Sequence, residues 1–216
     1  MRVVYLHGFA SSPGSTKARF FKQRFEQCGV HVTVPDLAAG DFEHLTITGQ
    51  LKVVEQSAGG GPGLVLAGSS MGGYLAALYA ARHPEVACMI LMAPAFGFAV
   101  RLRETLGPGE MRRWRETGWR SVFHYGDAHE RELSYALIED AVRYQEFPEV
   151  AQPALILHGT QDDVVPAAYS ERYARLHPNV RLVLLDSGHE LTDVTGRLWE
   201  EASRFLGIDG SRPAQV

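Results

Sequence analysis

Gly68-Ser69-Ser70-Met71-Gly72-Gly73 stands between an apolar run, Leu64-Val65-Leu66-Ala67, and an alanine-rich stretch from Tyr74 to Arg82. Gly68, Ser70 and Gly72 satisfy G-x-S-x-G, a pattern that sets a serine on a turn too sharp for side chains at its flanks. The apolar run reads as a short buried strand. The stretch after it reads as a helix with Leu75, Leu78 and Tyr79 on one face. Strand, tight turn and helix are the context in which this pattern presents a reactive serine. A chance match is the competing reading in a chain with 22 glycines, so the decision rests on what lies around it.

Outward from this turn, strands and helices alternate. Arg2–Leu6 is a short β-branched run ended by His7-Gly8. Residues 16–28 carry Ala18, Phe21, Phe25 and Cys28 at helical spacing, with Ser15 as N-cap and Gly29 as terminator. Residues 30–34, 86–92, 154–158 and 181–185 read as strands. Residues 45–57, 167–176 and 195–206 read as helices, and 207–216 as a frayed tail. Near-continuous apolar strands alternating with helices predict one α/β domain over 1–216, with a mostly parallel sheet of about six strands covered on both faces. The regular order breaks at 96–150, too long for a simple crossover, and this insert is expected to form a cap over the sheet's C-terminal edge.

Composition narrows the function. Hydrophobic residues make up 45% and charged residues 21% of the chain, with a net charge of −4, which gives no cause to expect nucleic acid as partner. No apolar run reaches the length of a membrane span, and no leader-like segment precedes the first strand, so a cytoplasmic protein is expected. Cys28 and Cys88 read as reduced packing residues. Gly59-Gly60-Gly61-Pro62-Gly63 lacks the Lys-Ser/Thr of a phosphate loop, and the turn after the first strand is not G-x-G-x-x-G. The histidines show no metal-binding spacing, and His189-Glu190 is not completed by a histidine at Asp193. Neither a cofactor nor a metal is implied.

A serine hydroxyl needs a base, and the base needs an anion to orient it. Two further strand ends offer both. The segment His158-Gly159-Thr160-Gln161-Asp162-Asp163-Val164-Val165-Pro166 brings two carboxylates, and Asp186-Ser187-Gly188-His189-Glu190 brings a histidine. Serine, acid and histidine thus follow one another in the order this kind of fold demands.

With those residues the chain resembles the α/β-hydrolase superfamily along nearly its whole length. Tyr5-Leu6-His7-Gly8-Phe9-Ala10-Ser11-Ser12-Pro13 resembles the small YqiA-like bacterial esterases. The His158-Gly159-x-x-Asp162-x-x-Val165-Pro166 block with its later histidine is similar to animal abhydrolases that cleave acyl-glucuronides and acyl-thioesters. The resemblance implies Ser70 as nucleophile, Asp162 as acid and His189 as base. The spacing of the block favours Asp162 over Asp163, which is expected to be solvated or capping, and over Asp186, expected to be a turn former. The antiparallel edge strands of larger members are expected to be missing.

Two backbone N–H groups are needed for the developing oxyanion, and Met71 and Phe9 are their expected sources. His7 is expected to stabilise its loop. In the insert, Trp119, Phe123 and Tyr125 share one strand face and are candidate substrate-binding residues; a small core of the insert's own is the alternative. Arg101, Arg103, Arg112, Arg113 and Arg115 are expected to be solvated and paired with Glu104, Glu110 and Glu116. The expectation is a serine hydrolase, a monomer or small homo-oligomer, acting on a small-molecule carboxylic ester or thioester. A peptidase, a carbon–carbon bond hydrolase and a non-catalytic binding homologue remain as rivals.

Overall fold

The computed structural model describes residues 1–208, so all but two residues of the tail expected at 207–216 lie outside the described residues. In chain order the elements begin with β1 (Arg2–Leu6), α1 (Thr16–Gln27), β2 (His31–Thr33), α2 (Ile47–Ala58), β3 (Leu64–Ser69) and α3 (Met71–Ala80). They continue with β4 (Val86–Met92), α4 (Phe98–Thr117), β5 (Trp119–His124), β6 (His129–Ser134) and α5 (Ala136–Ala141). The last four are β7 (Ala154–Gly159), α6 (Ala168–Leu176), β8 (Val180–Leu185) and α7 (Thr195–Leu206).

Six strands form one wholly parallel sheet in the order β2-β1-β3-β4-β7-β8. Every residue of β3 and β7 is buried, which requires cover on both faces. The pleat divides each strand between two cores. Val4, Leu6, Leu64 and Leu66 join α2, α3 and the insert, whereas Val3, Tyr5, Val65 and Ala67 face α1 and α7. On the latter side Phe25 of α1 meets Trp199 of α7 edge to face, with ring centroids 5.0 Å apart. The chain leaves β1 toward one edge to make β2, then returns to the other side of β1 for β3. Loops therefore diverge at the C-terminal ends of β1 and β3, opening the crevice typical of such sheets.

Two segments depart from the sequence reading. α3 begins at Met71, not Tyr74, taking in Gly72 and Gly73 despite their poor helix propensity. Burial on every face of α3 outweighs that cost. In the insert, the strand expected near residue 119 is β5 and the arginine-rich stretch before it is the helix α4, but the antiparallel partner β6 was not foreseen. Gly107 breaks α4 with φ 72° and ψ 168°, because a residue before proline avoids the helical region.

The insert packs toward the C-terminal edge of the sheet. Tyr125 N–H donates to Ala10 O at 2.7 Å and Ser134 N–H to Glu43 O at 2.8 Å. Buried Trp114 donates from Nε1 to Leu133 O at 3.0 Å. Asp140 accepts from Thr48 at the start of α2 through both its backbone N–H and its Oγ1, at 2.7 and 2.6 Å. Both cysteines are free, and among the described residues no helix is long and apolar enough to cross a membrane.

Candidate active site

Ser70 occupies the junction of β3 and α3 with φ 52° and ψ −114°, a conformation that costs a non-glycine residue about 1–3 kcal/mol. The strain is held by neighbours on all sides. Ser70 N–H donates to Met92 O at 2.8 Å, and Ser70 O accepts from Tyr74 N–H and Ala95 N–H at 3.1 and 3.0 Å. Two glycines make the turn possible. A Cβ on Gly68 would lie 2.3 Å from Gly72 O, and one on Gly72 would lie 2.0 Å from Leu6 O. The G-x-S-x-G spacing is thus a packing requirement between β3, α3 and β1.

The loop after β8 brings His189 Nε2 to 3.1 Å from Ser70 Oγ. Its Nδ1 lies 2.8 Å from Asp162 Oδ2, in the loop after β7. A carboxylate only accepts, so Nδ1 carries the proton and Nε2 offers its lone pair to the serine hydroxyl. The His189 loop is tied down by Ser187 Oγ, which donates to Asp193 Oδ1 at 2.5 Å, and by the ammonium of buried Lys17, which donates to Glu190 O.

The Asp162 carboxylate is closed off from solvent. Its Oδ1 accepts from Val164 N–H at 2.9 Å and Val165 N–H at 2.7 Å. Its Oδ2 faces both His189 Nδ1, at 2.8 Å, and His158 Nε2, at 3.1 Å. Burial alone would raise its pKa. The N–H groups of His158, His189 and Val165 outweigh burial and hold it well below the ordinary carboxylate range. Asp163 is exposed, and Asp186 is exposed and accepts from Gln161 Nε2 at 2.6 Å. Of the three carboxylates, only Asp162 hydrogen-bonds His189 among the described residues.

A Cβ on Gly8 would fall 3.7 Å from Ser70 Cβ, so the loop after β1 runs directly against the serine. Phe9 follows it, with its ring against Phe42 and Phe98 at 5.8 and 6.4 Å. Met71 is the first residue of α3. Neither the Phe9 nor the Met71 N–H finds an acceptor among the described residues. His7 is buried and turned away from the serine. Its Nε2 accepts from Leu37 N–H at 3.2 Å and its Nδ1 donates to Gly8 O at 2.9 Å, while burial lowers its pKa.

The aromatic face of β5 is not gathered at the triad. Trp119, Phe123 and Tyr125 are 41, 43 and 75% exposed, while His124, of opposite parity, packs inward on Phe42 at 4.7 Å. Trp119 contacts His44, and Phe123 contacts Tyr125. Only Tyr125 reaches the loop beside Ser70, through its backbone bond to Ala10. Trp119 stands at the other end of β5, roughly 20 Å away at the rise of a strand.

The arginines meet expectation in part: Arg103, Arg112, Arg113 and Arg115 are exposed, whereas Arg101 is not and the pairings are not made among the described residues. Arg101 is half-buried and stitches two loops together, donating from Nε to Phe96 O at 3.1 Å and from its guanidinium to Val164 O. Arg103, Arg112 and Arg115 line an open cleft of about 480 Å³ with Met111 and Tyr135. Among the described residues none of the five pairs with Glu104, Glu110 or Glu116; Arg120 instead lies 3.9 Å from Glu110.

Sequence reasoning missed His158 and Ser170 altogether. His158 is fully buried, with Nε2 donating to Val165 O at 2.8 Å and Nδ1 paired with buried Ser170 Oγ at 2.7 Å. The signal was present in the block His-Gly-x-x-Asp, read only as a marker of the acid.

The parallel sheet, the strained serine turn and the loops that meet above it define the α/β-hydrolase fold. The chain belongs to the uncharacterised protein family UPF0227, whose profile matches residues 2–206. No curated protein matches it by sequence. Among solved structures, the chain is similar to alpha/beta hydrolase domain-containing protein 10 from mouse, at 21% identity and TM-score 0.79 over 96% of this chain and 90% of that one. A provisionally assigned hydrolase from Agrobacterium vitis S4 is 26% identical, with TM-score 0.80 over 94% and 87% of the two chains. Est1E of Butyrivibrio proteoclasticus, with ferulic acid bound, is 22% identical, with TM-score 0.77 over 95% and 89%.

Proposed function

We propose that the protein is a serine hydrolase of carboxylic esters, thioesters included, working through an acyl-enzyme. The observation that carries this reading is the unbroken chain Ser70 Oγ, His189, Asp162, with contacts of 3.1 and 2.8 Å. His189 takes the hydroxyl proton as Ser70 attacks the carbonyl carbon. The Met71 N–H, at the positive end of α3, and the Phe9 N–H receive the oxyanion of the tetrahedral intermediate. His189 returns the proton to the departing alcohol or thiol, and Asp162 steadies the imidazolium. Water, deprotonated by His189, then attacks the acyl-serine and releases the acid.

The ferulic acid held by Est1E is a carboxylic acid of the kind that ester hydrolysis releases, and it supports the choice of substrate class. In this reading Tyr125, tied to Ala10 through its backbone, and Phe123 packed against its ring form an apolar rim for the substrate, and Trp119 lies outside it. A matched series of 4-nitrophenyl esters and acyl thioesters tests the proposal. Hydrolysis by the native protein, lost in Ser70→Ala, is the expected result. Turnover that survives this substitution would refute it, and the ratio of the two series reports the preferred leaving group.

A further inference from the structure

We infer that His158 is a positioning residue for this reaction, gripping Asp162 so that its carboxylate points at His189; the inference rests on the triad reading above. The geometry leaves His158 Nε2 one role. It faces Val165 O at 2.8 Å and Asp162 Oδ2 at 3.1 Å, and neither oxygen can donate. Nε2 therefore bears a hydrogen. The ring is held in that orientation by Ser170 Oγ on Nδ1 at 2.7 Å, with both residues fully buried.

The consequences reach both carboxylate oxygens. Nε2–H lies beside Oδ2, the oxygen that also receives His189, so two imidazoles flank one acceptor. By binding Val165 O, the same group braces the residue whose N–H holds Oδ1 at 2.7 Å. Val164 N–H, Val165 N–H and His189 hydrogen-bond the carboxylate, and His158 Nε2–H, shared with Val165 O, stands 3.1 Å from Oδ2 as the fourth polar hydrogen beside it. A buried carboxylate short of one donor is free to rotate toward another, and a small loss of register at the base costs rate steeply.

Beyond orientation, His158 shares the negative charge that Asp162 presents to His189. Without it, the carboxylate holds the His189 imidazolium more strongly, and the base stays protonated to higher pH. The other charged groups facing this cluster are Lys17 of α1, Glu190 beside it and Arg101 of α4, which approaches Asp162 through Val164. All three are common to the native protein and the variants, so their contribution cancels in the comparison.

The test follows the second-order rate of Ser70 labelling by a fluorophosphonate, together with 4-nitrophenyl acetate hydrolysis, from about pH 5 to pH 9. In His158→Leu we expect both rates to fall on the order of 10–100-fold. The acid limb of the profile should move to higher pH. His158→Gln, which keeps an N–H toward Asp162 and an acceptor toward Ser170, should recover most of both effects. Ser170→Ala, which frees the ring, should move the limb in the same direction by less. A folded Leu variant with native rates and limb would overturn the inference. So would a loss of rate with no shift of the limb and no rescue by Gln. Should the Leu variant fail to fold, an unshifted Ser170→Ala profile is the overturning result. Absence of a Ser70 adduct in the native protein is a separate outcome, which removes the triad reading and this inference with it.

Discussion

At the residue scale, the site depends on which carboxylate the histidine meets, and environment decides it. Asp162 is buried and collects N–H donors, whereas Asp163, its neighbour, is exposed. Asp162→Asn keeps an oxygen for Val164 and Val165 N–H but turns an NH₂ toward His189, forcing the wrong tautomer. Turnover is expected to fall on the order of 10⁴-fold, whereas Asp163→Asn should change it by less than about three-fold. Steady-state kinetics on the two variants separates them. The same carboxyl predicts a pH dependence. Its folded pKa is depressed, so its stabilisation is present above the unfolded value, about 3.9, and is lost as pH falls through the folded one. Urea unfolding of Asp162→Asn should therefore lose less stability than the native protein as pH drops below about 4. The pair Ser70 and His189, and the preference for Asp162, were legible because chemistry at strand ends leaves short motifs. His158 and Ser170 were not, since a buried polar contact leaves no periodicity to read.

At the element scale, the turn between β3 and α3 is the part least tolerant of change. A methyl on Gly72 would sit 2.0 Å from the backbone oxygen of Leu6, an atom fixed in the sheet. Gly72→Ala is expected to cost more than about 3 kcal/mol, read as a lowered thermal midpoint, or to prevent folding. Wild-type stability in this variant would contradict the packing described here. The central strands of the sheet were read nearly to the residue because they are near-continuous apolar runs, β4 among them at Val86–Met92. The insert was read poorly, since α4 is interrupted by Gly107-Pro108 and β6, His129–Ser134, is mostly polar. An exposed polar strand carries no apolar alternation; only its pairing with β5 identifies it. Phe123→Ala, at the exposed rim of that hairpin, should raise KM for an aryl ester by about two- to ten-fold with little change in kcat. An unchanged KM would remove the rim from the account.

At the scale of the whole molecule, three loops far apart in sequence converge because three strands are spaced across one parallel sheet. β3, β7 and β8 deliver Ser70, Asp162 and His189, and β1 delivers Phe9 to the same edge. No local segment holds the site, so reactivity should disappear together with tertiary structure on unfolding. The order serine, acid, histidine was readable in the sequence because topology dictates it. The approach to the serine was not, because it depends on how the insert sits against Ala10, Glu43 and Thr48. The most direct test of the central claim is mass mapping of the native protein after exposure to a fluorophosphonate. The account predicts an adduct on Ser70 that is absent from His189→Ala and from urea-unfolded protein. An unmodified Ser70 in folded native protein, or equal labelling in His189→Ala, would contradict it.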